Sequence, residues 1–237
     1  MKKRLQTILS HAGVSSRRHA AEFIEDGRIK VDGRTVTEKG LKLDPEKHEI
    51  LVDDRPIRAG EKRYYFLLNK PRGVISTVKD THGRRKVTDF FKDLEARVYP
   101  IGRLDKDTTG IILVTNDGEL THRLSHPRFE IEKEYIVTIN GDISPDEITR
   151  LERGVEIDER RTSPCIVKVV EKSAKNAVLS VKIHEGRKRQ VRRMFRAVGR
   201  RVIAIDRVKY AGLTLDGLKR GRFRQLSEEE VAKLRAI

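Results

Sequence analysis

The 237-residue chain contains a single cysteine, Cys165. One thiol excludes an internal disulfide framework and any zinc site built from several cysteines. The seven histidines are scattered, which argues against a histidine-based metal site too. Long hydrophobic runs are missing. The longest apolar stretch, Tyr64-Tyr65-Phe66-Leu67-Leu68, is far too short to span a membrane. The first residues, Met1-Lys2-Lys3-Arg4, have the charge of a signal peptide, but Gln6, Thr7, Ser10 and His11 interrupt any apolar segment behind them. A cytoplasmic protein is expected. The motifs G-x-G-x-x-G, G-x-x-x-x-G-K-[ST], H-E-x-x-H and G-x-S-x-G are absent. Asp105, Asp107 and Gly110 match the start of a calcium loop, but Asn116 stands where the loop needs a bidentate Glu. No metal is expected. Internal repeats and low-complexity segments are absent as well.

Basic residues, by contrast, are abundant. Against 36 Asp+Glu stand 52 Lys+Arg, a formal net charge of +16. Such a charge points to a polyanionic partner, nucleic acid before a membrane surface. Residues 1–62 hold 14 basic and 11 acidic side chains, whereas 63–237 hold 38 and 25. Eight of the basic residues lie between Arg187 and Arg201, with no acid among them. Solvated faces mix both signs. Eight charges of one sign repel one another unless an anion is near.

The chain reads as two units. In residues 1–52, Leu5, Ile8 and Leu9 mark a short helix that stops near Gly13. Ser15 or Ser16 caps a second helix with Ala20, Ala21, Phe23 and Ile24 on its apolar face. Ile29, Val31 and Val36 read as short strands around an Asp32-Gly33 turn. Residues 53–60 have turn and linker chemistry, which puts the boundary near residue 62. Beyond it, extended segments are expected at Tyr64–Leu68, Val74–Thr77, Ile111–Thr115, Lys133–Ile139, Ile166–Val170 and Ala177–Ile183. Helices are expected at Gly118–Ser125, Pro145–Arg153, Gln190–Val198 and Ser227–Arg235. Ser144 with Glu147, and Ser227 with Glu230, have capping-box spacing. The order does not fit a regular βαβ series. It predicts an α+β domain with a mixed, mainly antiparallel sheet flanked by helices.

Two segments concentrate chemistry. Residues 99–118 are dense in loop residues between apolar segments, and Asp105 precedes a buried strand. On spacing alone Asp105 and Asp107 also read as Asx-turn residues. In the second segment, a helix over Gln190–Val198 would bury Val191, Met194, Phe195 and Val198 as one stripe. Arg193 then lies opposite the stripe, free to meet phosphate or merely solvated. Arg192 lies on its flank, within reach of a pocket carboxylate.

Gly102-Arg103-Leu104-Asp105 with Asp107-Thr108-Thr109-Gly110, Asn69-Lys70-Pro71-Arg72-Gly73, Lys133-Glu134-Tyr135, and Glu185 to Met194 resemble the signature segments of pseudouridine synthases. They are similar to the RsuA/RluB branch, which modifies ribosomal RNA. Ser16-Arg17-Arg18, Ala21-Glu22, Gly27 to Val31 and Gly33 resemble that branch's amino-terminal S4 RNA-binding domain, of the αL type. The resemblance runs through the whole chain in order and spacing, and the Arg-rich 187–196 segment is most similar to the large-subunit subgroup.

The resemblance implies a small S4-like domain over 1–62 and a catalytic domain over 63–237. It implies isomerisation of a uridine in a stem-loop of ribosomal RNA, 23S before 16S, by a monomer, and a rearrangement of atoms that calls for no cofactor. It maps the catalytic carboxylate onto Asp105, the active-site tyrosine onto Tyr135, and the basic partner of the aspartate onto Arg192. Asp105 would attack C1′ or act as the base that opens a glycal route. Expected RNA contacts are Arg17, Arg18, Arg28 and Lys30 in the S4-like unit, and Arg103, Arg187, Lys188, Arg189, Arg193 and Arg196 beyond it. A catalytically inactive RNA-binding protein and a basic DNA-binding protein are the rival readings. The latter lacks any helix-turn-helix spacing, zinc finger or basic heptad region.

Overall fold

The computed structural model describes residues 2–57 and 62–237. Contacts cluster into two units, Met1–Tyr64 with Leu94–Arg97 and Asn116–Gly118, and Tyr65–Asp93 with Val98–Thr115 and Glu119–Ile237.

In the amino-terminal unit, α1 (Leu5–His11) and α2 (Arg17–Glu25) bury Leu5, Ile8, Leu9, Ala20 and Ile24 against Ile29, Leu43 and Ile50. The Ser16 hydroxyl accepts from the His19 amide and so caps α2. Strands Ile29–Val31 and Arg34–Thr35 form a hairpin. Its turn residues Asp32 and Gly33 sit at φ 48° and 78°, the positive values a two-residue hairpin turn requires. The linker chemistry expected from Asp53 onward is partly something else. Asp53 and Asp54, at φ 49° and 61°, are the turn of a second hairpin that pairs Ile50–Val52 with Arg55–Pro56. Consecutive Asp residues tolerate left-handed backbone, and here they close a sheet edge instead of leaving it. The rest of the expected linker, residues 58–60, lies outside the described residues.

The second unit is built on a nine-stranded sheet. Its main path runs Ile166–Lys172, Asn176–Ile183, Lys133–Asn140, Val202–Tyr210, Thr109–Thr115, Tyr65–Lys70, Phe223–Gln225. Every pairing is antiparallel except that of Val202–Tyr210 with Thr109–Thr115, where Asp206 meets Thr109 and Arg207 meets Gly110. At that seam the backbones approach closely. A Cβ on Gly110, at φ 103°, would lie 2.2 Å from the Arg207 carbonyl oxygen.

On one side of the sheet α3 (Gly118–Ser125) and α6 (Glu228–Ala236) supply Leu120, Leu124 and Leu234 to a core with Tyr65, Leu67, Ile111, Leu113 and Tyr210. α4 (Pro145–Glu152) contacts Ile166–Lys172, and α5 (Gln190–Ala197) contacts Val202–Tyr210. The stripe Val191, Met194, Phe195 and Val198 is buried, as its spacing requires. Both capping boxes form, Ser144 with Glu147 and Ser227 with Glu230. Val74–Thr77 is not a strand. Only Ile75 makes a bridge, to Lys86: its amide donates to the Arg85 carbonyl and its carbonyl accepts from the Val87 amide, while the Ser76 side chain holds Leu104. Among the described residues no helix is long and apolar enough to cross a membrane.

Candidate active site

The Asp105 loop enters the seam of the sheet and is held from two sides. The Gly73 amide donates to the Lys106 carbonyl at 2.7 Å. The Ser76 hydroxyl donates to the Leu104 carbonyl at 3.0 Å and accepts from the Leu104 amide at 3.1 Å. The loop closes on itself where the Thr108 amide reaches the Asp105 carbonyl. Beyond it, the Thr109 hydroxyl donates to Asp206. Asp206 in turn takes two bonds from Arg220, which also donates to the Asn69 side chain.

Asp105 and Tyr135 line one cleft of about 450 Å³. Arg103, Leu104, Thr108, Ile183, Ile205 and the 186–192 segment complete its walls. Tyr135 lies on Lys133–Asn140 opposite Val181 and Arg207, and is buried. Strand alternation places it on the same face as Val137 and Ile139.

The 185–190 turn that frames the cleft is locked by its own side chains. Glu185 accepts from the Ser163 amide and from the Gln190 side chain, and Gln190 accepts from the Arg187 amide. Arg189, before α5, sits at φ 53°. A non-glycine residue in that region costs about 1–3 kcal/mol, and such strain gathers at functional sites. Here it turns the Arg189 guanidinium toward the carboxylates, 3.5 Å from Asp107 and 3.9 Å from Asp105.

The expected partnership of Arg192 with Asp105 is corrected by this geometry. Arg192 Nη2 lies 2.8 Å from Asp107, while Nη1 donates to the Val202 carbonyl at 3.1 Å. Anchored on the strand, its guanidinium reaches the second aspartate of the loop, and the cation nearest Asp105 is Arg189. Arg103 lines the cleft and is exposed. The expected RNA contacts divide in two. Arg17, Arg18, Lys188 and Arg196 are exposed. Arg187 is instead spent on the carbonyls of Ile157, Arg160 and Arg161. Arg193 pairs with Asp158, Arg28 with Asp53 and Lys30 with Asp54.

Three cations near the site are withdrawn from solvent: Lys70 and Arg207 are buried, and Lys133 is half-buried. Lys70 donates to the Val74 and Pro71 carbonyls. Burial lowers its pKa to about 8, although Asp107 and Asp105 favour its charge. Lys133 donates to the Ile131 and His184 carbonyls and is lowered by burial to about 8 as well. Arg207 donates to the Ile111 carbonyl and lies over the Tyr210 ring. In the sequence, Lys70 and Lys133 stand within the recognised segments. Cys165 donates to the Leu151 carbonyl, and burial pushes its thiol up to about 11, which disfavours the thiolate. Among the described residues no group of three or more His, Cys, Asp or Glu is arranged to hold a metal ion.

The one parallel seam of the mixed sheet thus leads into an aspartate loop beside a cleft lined by Tyr135 and several arginines. The RNA pseudouridylate synthase family matches residues 64–197, and the S4 domain matches residues 3–59. The chain belongs to the RNA pseudouridylate synthase family. It is 48% identical to the ribosomal large subunit pseudouridine synthase B of Bacillus subtilis, over 99% of this chain and 96% of that protein. It is 36% identical to an uncharacterized RNA pseudouridine synthase of Aquifex aeolicus, over 99% and 94%. A crystal structure of a pseudouridylate synthase superposes with TM-score 0.70 at 29% identity, over 98% of this chain and 99% of that one.

Proposed function

We propose that this enzyme converts a uridine of large-subunit ribosomal RNA to pseudouridine in the cytoplasm, with Asp105 as its catalytic carboxylate. The observation that carries the reading is the shared cleft of Asp105 and Tyr135. The reaction breaks the N1–C1′ bond, turns the uracil and rejoins it through C5. The proton on C5 is lost and N1 gains one, so atoms balance within the substrate. Asp105 attacks C1′ or takes the C2′ proton, with the Arg189 guanidinium 3.9 Å from its carboxylate. Tyr135 offers a ring on which the extruded base stacks. Arg192 acts on the loop through Asp107, as a positioning residue. Extrusion costs a few kcal/mol, which phosphate contacts offset. Arg17, Arg18, Arg103, Lys188, Arg189 and Arg196 provide those contacts in this reading.

The test is chemical mapping of pseudouridine in unmodified ribosomal RNA after incubation with wild type and Asp105→Asn. The wild type forms pseudouridine at one or a few large-subunit positions, and the variant loses this by at least a thousandfold. Formation only in small-subunit RNA would overturn the substrate assignment. Full activity in the variant would overturn the role of Asp105.

A further inference from the structure

A second concavity, of about 410 Å³, shares Arg189 and Arg192 with the cleft. Five arginines line it: Arg189, Arg192, Arg196, Arg200 and Arg201. Acidic side chains take no part in its lining. Three of the five are already paired with carboxylates outside it. Arg189 and Arg192 hold Asp107, and Arg200 makes two bonds of 2.8 Å with Glu147. Arg196 and Arg201 are exposed and have no carboxylate partner among the described residues. Cations near the end of α5 complement its dipole, which accounts for Arg196. That effect does not explain why Arg189, at the start of the helix, and Arg201, beyond its end, face the same small space.

We infer that this concavity seats one backbone phosphate of the RNA, on the strand that carries the target uridine. The inference rests on the proposal that RNA is the substrate. Guanidinium groups match phosphate oxygens in pairs, and two unpaired ones lining one concavity leave a place for one anion. Arg189 and Arg192 form the wall common to both cavities. A phosphate in the second one is therefore a near neighbour of a nucleotide in the first. A phosphodiester of the same strand meets that geometry, whereas free phosphate has no reason to sit beside the cleft.

The test uses full-length Asp105→Asn protein, in which no turnover disturbs binding, and a ribosomal RNA stem-loop. Each linkage near the target uridine is replaced in turn by an uncharged methylphosphonate. One linkage should weaken binding about tenfold, and that penalty should vanish when Arg196→Gln and Arg201→Gln are added. The salt slope of the same variant should fall by roughly 0.7–0.9 for each lost contact. Arg196→Lys with Arg201→Lys should keep most of the slope, which separates charge from folding. Inorganic phosphate at matched ionic strength should displace RNA no better than chloride. Equal penalties in both proteins at every linkage would overturn the inference, as would displacement of RNA by millimolar phosphate. A wild type that forms no pseudouridine would overturn the functional reading separately, because linkage coupling is scored on binding alone.

Discussion

Lys70 places an ammonium group where water does not reach, with two backbone carbonyls as its direct partners. Its pKa is lowered to about 8 by burial, against an ordinary value near 10.5. Between these values the unfolded chain binds more protons than the folded one, so stability gained from this residue rises with pH from about 8 to 10.5. Lys70→Met removes the titration. The unfolding free energy of the wild type should therefore gain on that of the variant across this window, as read by denaturant melts at pH 8 and 10. A constant difference would show that the ammonium is not desolvated. At this scale the sequence was legible in part. Asp105, Tyr135 and the arginines around 190 stood out by motif, and the structure brings them to one cleft. Lys70 stood inside a recognised segment, but its burial did not show there, and Arg207 carried no motif, because a lone cation in an apolar segment reads as a surface residue until its burial is known. Asp105 and Asp107 are two residues apart, and spacing alone could not tell which of them Arg192 would meet.

Elements explain how the loop keeps its shape. Ser76 both donates to and accepts from Leu104, one residue before Asp105, and all three groups are buried or nearly so. Ser76→Ala leaves a carbonyl and an amide without that partner, at about 1–3 kcal/mol for each group stranded from water. The variant should lose stability on this scale and form pseudouridine more slowly in single turnovers, while its RNA affinity stays within twofold. A loss of affinity alone would place Ser76 in the interface instead. The helices were legible because caps, glycines and apolar stripes agree along them. Alternating strands such as Asn176–Ile183 were legible for the same kind of reason. Val202–Tyr210, a central strand, was not expected. It carries Asp206 and Arg207 in its middle and has register shifts against Lys133–Asn140, which break the two-residue period. The apparent strand at Val74–Thr77 failed in the opposite way, since its apolar residues are real but its hydrogen bonds go to a loop.

For the whole molecule, the charge of +16 is not a uniform coat. The amino-terminal unit neutralises Arg28 and Lys30 with its own aspartates and leaves Arg17 and Arg18 exposed at the start of α2. Among its exposed cations, these two lie side by side in the first turn of that helix, and its contribution to RNA binding should depend on them. Replacing both by Ala should weaken binding to ribosomal RNA and lower the salt slope by about 1.4–1.8, without changing pseudouridine yield at saturating protein. An unaltered slope would show that other residues of the unit carry the contact. The division into a nearly balanced unit and a strongly basic one was plain from counting charges. Which of those charges are already spent within the protein was not, because the partners Asp53, Asp54, Asp107, Asp158 and Glu147 lie far away in sequence.

The parallel seam also bears on how the enzyme comes into being. Thr109 and the Ile205 carbonyl it bonds are 96 residues apart, and the Asp105 loop leads directly into that junction. Contacts between such distant segments are slow to form because the intervening chain must first be ordered. Hairpins on either side of the seam can assemble early, yet neither side alone contains both Asp105 and Tyr135. During refolding, catalysis should thus return later than sheet structure, and the last event to finish would be the one that makes the protein an enzyme.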